Sequence, residues 1–160
     1  MNMTYSWHVH YDMMVKKAKG VLKVTNELLK KAEELMKKCE VASLSSIDET
    51  GYPRTAAMCS LKTEGINTVW FSTGTISNKV NNYKRNPKAG VCFSIDGNNV
   101  TLMGNMTIVE DMNIKTELWV DWFIKHFPLG VTDPNYCVLK FESNYIQAYI
   151  DDEFEELYLD

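Results

Sequence analysis

The order of apolar and polar residues divides the chain into a helical start and a long region of short strands. Between Thr25 and Cys39, apolar residues recur at helical spacing among lysines and glutamates, which predicts an amphipathic helix. A shorter helix is predicted over Tyr11–Lys19, ending near Gly20. From Val41 onward the apolar residues alternate or form short runs between turn sequences, a pattern typical of strands.

Seven strands are predicted after the amphipathic helix. They are Val41–Ile47, Arg54–Lys62, Thr68–Thr73, Ala89–Ile95, Val100–Glu110, Tyr136–Glu142 and Asn144–Ile150. Asp96-Gly97 is a hairpin signal because this pair tolerates positive φ, and Gly104 in mid-strand suits a bulge. Hairpin-connected short strands form antiparallel sheets that close best into a barrel or a sandwich. The sequence therefore predicts a mainly β protein with flanking helices.

Two further helices are predicted between strands. The first covers Ser77–Arg85 and ends at Asn86-Pro87, because proline disfavours helix in the residue before it. The second covers Met112–Phe127 and carries one broad aromatic face. Core packing is the expectation for Trp119, Trp122 and Phe123, and stacking on a cofactor is the alternative.

Length and charge limit the classes of protein that this chain can be. Its 160 residues suit one domain, and a net charge of −4 argues against binding nucleic acid or an anionic membrane. The sequence contains no membrane-spanning apolar run and no signal-peptide pattern at its start. Its four cysteines are widely spaced, which predicts reduced, mostly buried thiols in a cytoplasmic protein.

Charge is unevenly distributed between the two ends. Residues 1–24 are expected to be an N-terminal extension, and residues 151–160 an acidic tail with six carboxylates. A solvated lysine-rich helix face and a solvated tail are the expectation. The alternative is that the tail docks on a lysine-rich face, either its own or a partner's. No internal repeat divides the chain, so a single domain over residues 1–160 is predicted.

An anion site is predicted where the Ser77 helix begins. Ser77-Asn78-Lys79 follows a small, flexible loop, and free N–H groups at a helix start attract anions. Ser77 can cap this helix and also donate to an oxyanion, while Lys79 adds a positive charge. Arg54, one of two arginines in the chain, starts a nearby strand and offers a planar fork for phosphate.

A planar ring is the second ligand feature that the sequence suggests. Ala56 and Ala57 leave an open patch on the second strand, and Ser72 and Thr73 can hydrogen-bond the polar edge of a ring. On spacing alone, an exposed hairpin followed by an ordinary capped helix explains the same residues.

Other candidate sites are weaker. His8 and His10, with Asp12 close in sequence, have metal-ligating side chains, but no further ligands that would complete a site lie nearby, so no metal site is predicted. His126 is expected to be a surface residue near a helix end rather than a base. Cys59 is expected to be a buried thiol, with a reactive thiol as the alternative.

One long ordered phrase resembles a known family. Pro53-Arg54, the small-residue strand after it and the phrase WFSTGTISNKVNNYKRNP are similar to the FMN-binding part of pyridoxamine 5′-phosphate oxidase-like proteins, closest to their general stress protein branch. The resemblance covers roughly residues 35–150. It implies a six- to seven-stranded antiparallel split β-barrel that binds FMN (flavin mononucleotide) at the interface of a homodimer.

The resemblance also implies roles for individual residues. Arg54, Ser77 and Lys79 match the residues that hold the FMN phosphate, with Asn78 between the last two. Those that match the walls of the flavin ring are Thr55, Ala56, Met58, Ser72 and Thr73. A partner subunit is expected to complete the wall, with Asn98 and Asn99, or Trp119 and Trp122, as candidates.

Departures from the family pattern narrow the expected activity. Cys59 stands where the true oxidases carry a lysine, Asn78 stands where they carry an arginine, and the acidic end lacks their substrate-gripping arginine and histidine. An FMN-dependent oxidoreductase of a small molecule is therefore expected, without true pyridoxamine phosphate oxidation. The alternatives are a non-catalytic flavin-binding stress protein and a nitroreductase of the nitroimidazole-resistance type. No side chain is assigned as acid or base, and heme or a deazaflavin in the same groove stays open.

Overall fold

The computed structural model describes residues 26–159, and their centre is a closed six-stranded antiparallel barrel. The strands are β1 Val41–Ile47, β2 Pro53–Glu64, β3 Thr68–Gly74, β4 Lys88–Ile95, β5 Asn98–Val109, β6 Tyr136–Ile150 and β7 Glu153–Tyr158. They hydrogen-bond in the order β3-β2-β1-β4-β5-β6-β7, and β6 also pairs with β3 to close the barrel. The predicted mainly β, split-barrel fold is confirmed.

Within residues 26–159, three α-helices flank the barrel. They are α1 at residues 26–38, α2 at Asn78–Arg85 and α3 at Met112–Glu117. The predicted amphipathic helix is thus confirmed as α1, whose buried Leu28, Ala32 and Met36 join the barrel core. The helix predicted over Tyr11–Lys19 and the His8–His10 pair lie outside the described residues. No helix within residues 26–159 combines the length and apolar character needed to cross a membrane.

Large side chains from alternating strand positions fill the barrel. The fully buried members include Leu44, Phe71, Phe93, Leu102, Leu139 and Phe141. Burying an aliphatic or aromatic side chain of this size stabilises a fold by about 1.5–3 kcal/mol. The interior is therefore a solid packed core, and ligands must bind at the surface or rim.

A second cluster lies on the outer side of β3 and β6, and it corrects one prediction. The predicted helix over residues 112–127 is broken, because α3 ends at Glu117 and a separate 3-10 turn covers Asp121–Lys125. Val120 between them is extended, with φ −121° and ψ 131°. Periodicity could not show this break, since the aromatic spacing suits one continuous helix equally well. The two pieces together cover Trp70 and Tyr136.

The C-terminal third corrects two further predictions. The two strands expected over residues 136–150 are one continuous strand, β6. Ser143, which falls between the two predicted strands, donates from its hydroxyl to the carbonyl oxygens of Met103 and Tyr145 beside a register shift. Residues 153–158, expected as a solvated acidic tail, form β7 along β6. One contact agrees with the alternative that the acidic end docks on the lysine-rich helix, since Asp151 Oδ2 lies 2.9 Å from Lys31 Nζ.

Two glycine predictions are confirmed at positions where the backbone requires them. Asp96 and Gly97 both have positive φ, at 50° and 84°, in the turn between β4 and β5. At Gly104 a Cβ would overlap the carbonyl oxygen of Glu142 and lie 2.7 Å from Ser143 Cα. This close approach coincides with the register shift between β5 and β6, and it lets the long strands coil around the barrel.

Candidate functional site

The barrel is open along part of the seam between β2 and β3. These strands pair only where residues 60–64 of β2 meet residues 68–71 of β3. Residues 53–59 of β2 pair with β1 on one side and with no described strand on the other. Beyond the last pair, Ser72, Thr73 and Gly74 pair only with β6. The backbone of β2 therefore offers unpaired N–H and C=O groups to a ligand.

A cluster of hydroxyls and one ammonium group lies where β3 leads into α2. Lys79 Nζ donates to Thr73 Oγ1 at 3.3 Å, and Thr73 Oγ1 lies 3.4 Å from Ser77 Oγ. Ser77 is the N-cap residue of α2, but its side chain makes no capping hydrogen bond, contrary to the expected cap. Its hydroxyl is instead turned to the Thr73–Lys79 group, so the helix start presents a lysine, two hydroxyls and free backbone N–H groups.

Arg54 lies in a neighbouring groove and does not touch this cluster. The groove has a volume of about 580 Å³, and its walls include Arg54, Asn78 and Arg85. The Arg54 side chain is 69% exposed, and its Nε lies 2.6 Å from Asp48 Oδ2. Asn78, the first residue of α2, lines this groove, and its sequence neighbours Ser77 and Lys79 belong to the hydroxyl cluster. Both predicted phosphate cations therefore lie near the start of α2, and no hydrogen bond joins them in the described part of the chain.

Asp48 is a partner of Arg54 that the sequence interpretation missed. Its carboxylate also accepts hydrogen bonds from Thr50 Oγ1 at 2.6 Å and from the backbone N–H groups of Thr50 and Tyr52. The Thr50 hydroxyl first and the Arg54 guanidinium second hold the pKa of Asp48 far below its usual range. These bonds therefore favour the charged form of Asp48.

Buried polar contacts fix α2 against β1. Asn82 Nδ2 donates to the buried Ser46 hydroxyl at 2.9 Å, and Tyr83 Oη donates to the Ser45 carbonyl oxygen at 3.2 Å. Burial raises the pKa of Tyr83 far above its usual range, so this hydroxyl stays protonated and can donate. These bonds set where the helix start lies relative to β2.

The predicted ring-contacting residues of β2 face two sides. Thr55 points outward, with Oγ1 2.9 Å from Ser45 Oγ, whereas Ala56 and Met58 face the half-buried side. Ala56 and Ala57, expected as one patch, therefore lie on opposite faces because side chains alternate along a strand. Cys59, expected to be buried, is exposed on the outward face. Cys39 and Cys137 are buried as predicted, and all four cysteines are free thiols.

An aromatic groove of about 360 Å³ adjoins the end of β3. Its lining includes Ser72, Thr73, Trp122, His126 and Asn135. Trp122, expected to pack in the core, is instead 51% exposed and packs edge-on against His126, with 5.7 Å between ring centroids. The sequence interpretation placed His126 on the surface, where it is, but gave it no part in a groove.

The other proposed wall residues lie elsewhere in this chain. Trp119 packs edge-on against Tyr136, with 5.1 Å between centroids, and belongs to the second cluster. Asn98 and Asn99 begin β5, and Asn98 Oδ1 accepts from the N–H of Asp151 in a different groove. Any contact of these three residues with a flavin would have to come from a partner subunit. Among the described residues, no group of three or more histidines, cysteines or carboxylates is arranged to hold a metal ion.

Sequence and structure comparisons identify the family. The sequence matches the family described as "Pyridoxamine 5′-phosphate oxidase like" over residues 27–151. The chain belongs to the pyridoxamine 5′-phosphate oxidase-like family. A search of curated proteins finds no match.

Solved structures of other proteins share the fold. A Clostridium acetobutylicum protein related to general stress protein 26 of B. subtilis is 29% identical with a TM-score of 0.75, covering 84% of this chain and 96% of its own. An FMN-binding protein of Nostoc punctiforme, related to pyridoxamine 5′-phosphate oxidase, is 14% identical with a TM-score of 0.60, covering 86% and 95%. A heme-binding protein of Mycobacterium smegmatis is 12% identical with a TM-score of 0.68, covering 82% and 57%.

The buried Asn82–Ser46 bond gives a test of how α2 is held. Asn82→Ala leaves the Ser46 hydroxyl without its partner and removes the acceptor of Arg85 Nη2, 2.8 Å away. We expect a loss of about 1–3 kcal/mol in the free energy of unfolding, measured by urea denaturation. Asn81→Ala is the matched control, since Asn81 is exposed in the same helical turn and the change in helix propensity is the same. Equal stabilities for the two variants would show that the buried bond does not hold the helix.

Proposed function

We propose that this protein binds FMN across the open β2–β3 seam, with the phosphate at the start of α2 and the ring along β2. The observation that carries the proposal is the convergence of three features at one rim. These features are the unpaired edge of β2, the polar end of β3 and the Lys79–Thr73–Ser77 cluster. FMN has matching parts, because it joins a flat heteroaromatic ring to a phosphate through a flexible chain.

The start of α2 fits a phosphate. A phosphate monoester carries about −1.5 to −2 charges at pH 7 and presents three acceptor oxygens. Lys79 supplies a full positive charge, Ser77 and Thr73 supply hydroxyl donors, and the helix supplies backbone N–H groups. Arg54, which lines a groove together with Asn78, adds a second cation. Lys79 and Arg54 thus provide two cationic groups near the helix start, although Asp48 and Glu49 line the groove of Arg54 and the net charge of the chain is −4.

The seam fits a flavin ring. The free backbone groups of residues 53–59 can bond the polar edge of the ring, and Ser72 and Thr73 offer hydroxyls across the opening. Small side chains at Thr55, Ala56 and Ala57 leave room for a flat group to approach β2. Hydrogen bonds of this kind also tune where negative charge rests when a flavin is reduced.

A homodimer would complete the site. The rim bounds the ring region on one side only, and the outward face of β2 is exposed along Thr55, Ala57 and Cys59. Val41, beside Cys59 in the pairing of β1 with β2, adds exposed apolar surface to this face. A second copy packed here would cover both this surface and the ring, and two-fold symmetry would give two equivalent sites.

The reaction that we propose is electron or hydride transfer to a small molecule. FMN would supply the redox chemistry, while this chain anchors the phosphate, orients the ring and shields one of its faces. Trp122 and His126 line the groove beside Ser72 and Thr73, so a small planar substrate has an aromatic wall there. The alternative is a flavin-binding stress protein without a substrate. Reduction of the bound flavin by a nicotinamide cofactor would favour the enzyme.

Removal of the phosphate cations tests the anchoring. Lys79→Met and Arg54→Ala should each weaken FMN binding about tenfold or more, because a charge-assisted hydrogen bond is worth about 1.5–3 kcal/mol. Riboflavin, which lacks the phosphate, should bind the variants and the native protein equally. Lys84→Met is the matched control, since Lys84 is exposed in the last turn of the same helix. Fluorescence titration of the protein with both flavins measures these affinities. Unchanged FMN affinity in both anchor variants would contradict the proposed phosphate site.

Dilution tests the shared site. If a partner completes the wall of the flavin site, FMN binding and dimerisation are linked. The affinity for FMN should then decrease when the protein is diluted to concentrations below the dimer dissociation constant. Sedimentation at several protein concentrations, with and without FMN, measures both equilibria. A monomer that binds FMN equally tightly at every concentration would overturn the dimer proposal and leave a single-chain site.

A further inference from the structure

The loop between β1 and β2 holds Arg54 through one of its three guanidinium nitrogens. Nε donates to Asp48 Oδ2 at 2.6 Å. Within residues 26–159 the terminal nitrogens, Nη1 and Nη2, donate to no protein acceptor. We infer that Asp48 is a positioning residue that fixes Arg54 for a phosphate and so makes the site select phosphorylated flavin over riboflavin. This inference rests on the proposed function.

Asp48 is the fixed member of the pair. Its side chain is 12% exposed, against 69% for Arg54. Oδ1 accepts from Thr50 N at 2.9 Å, Thr50 Oγ1 at 2.6 Å and Tyr52 N at 3.0 Å, which leaves Oδ2 for the arginine. The carboxylate is thus locked by its own turn before Arg54 is added. An arginine bonded to this carboxylate has already lost rotational freedom before a phosphate binds. Phosphate binding therefore has to remove less side-chain entropy.

The bond through Nε leaves the two terminal nitrogens of Arg54 available for a ligand. Arginine recognises phosphate best when two parallel N–H groups meet two oxygens. With Nε directed to Asp48, the pair of terminal nitrogens remains for such a bond, on the groove that Asn78 also lines. Riboflavin has no phosphate and gains no binding energy from this arrangement. The arrangement should therefore increase the affinity for FMN relative to that for riboflavin.

The negative charge of Asp48 acts in the opposite direction, because it repels a phosphate. Glu49 separates the two effects, since it is the next residue, carries the same charge and lines the same groove. Its side chain is 76% exposed and lies 3.3 Å from Arg85 Nη1 rather than near Arg54. Glu49→Gln therefore removes the same repulsion without changing how Arg54 is held.

A double-mutant cycle tests the inference. Binding of FMN and riboflavin is measured by titration for native protein, Asp48→Asn, Glu49→Gln, Arg54→Ala and the Asp48→Asn/Arg54→Ala double variant. Asparagine keeps an oxygen acceptor for the N–H groups of Thr50 and Tyr52, so the turn can persist. We expect Asp48→Asn to weaken FMN binding three- to tenfold and to change riboflavin binding less than twofold. Glu49→Gln should leave FMN binding unchanged or slightly stronger.

The Arg54→Ala background decides whether Asp48 acts through the arginine. There, Asp48→Asn should change FMN affinity less than twofold, because nothing is left to position. An equal loss in both backgrounds, or an equal loss for riboflavin, would overturn the inference in favour of a role in the turn. Asp48→Asn binding FMN as tightly as Glu49→Gln would overturn it as well. If Asp48→Asn fails to fold, Thr50→Val removes the 2.6 Å bond to the carboxylate and should show a smaller loss for FMN alone.

The outcomes also separate this inference from the proposed function. Native protein that binds FMN no better than riboflavin would contradict phosphate anchoring itself. Native protein that prefers FMN and loses the preference in Arg54→Ala, but not in Asp48→Asn, would contradict only the role given to Asp48.

Discussion

The early end of the β2–β3 ladder is the constraint on which the site depends. The barrel closes through β6 pairing with β3, so the first half of β2 stays bonded to β1 alone. The bulge at Gly104 accompanies this closure, since it lets β5 coil closely over β6. The end of β3, which leads into α2, is thereby left opposite the unpaired edge of β2. The residues proposed to contact FMN in this chain lie on one side or the other of this opening.

Local polar bonds then set the chemistry of the rim. The buried Asn82–Ser46 bond fixes α2 on the barrel, so the helix start has a defined position relative to β2. Lys79 donates to the Thr73 hydroxyl rather than to a carboxylate. Arg54 donates to the Asp48 carboxylate, which the turn around Asp48 already holds in place. Within residues 26–159, Lys79 therefore forms no ion pair, and the ion pair of Arg54 with Asp48 uses Nε and leaves Nη1 and Nη2 without a protein acceptor.

The sequence predicted most of the fold because each strand carries its own signal. Alternation, turn residues and the Asp96-Gly97 hairpin are local features, and they identify β1 to β5 with α1 and α2. The break at Val120, the continuity of β6 through Ser143 and the pairing of β7 depend on tertiary packing, which periodicity does not record. Cys59 is exposed because its side chain lies on the outward face of β2, and alternation alone does not show which face of a strand other elements cover. Asp48 was missed for a related reason, because Asp-Glu-Thr-Gly predicts a turn whether or not its carboxylate also reaches Arg54.

The central claim is that the open seam binds a flavin through its phosphate. Absorbance spectra of the native dimer or monomer, recorded as purified and during separate titrations with FMN and with hemin, test it most directly. The account predicts a flavin spectrum that saturates at one FMN per chain, and no saturable change with hemin. Saturable hemin binding together with no FMN binding would contradict it.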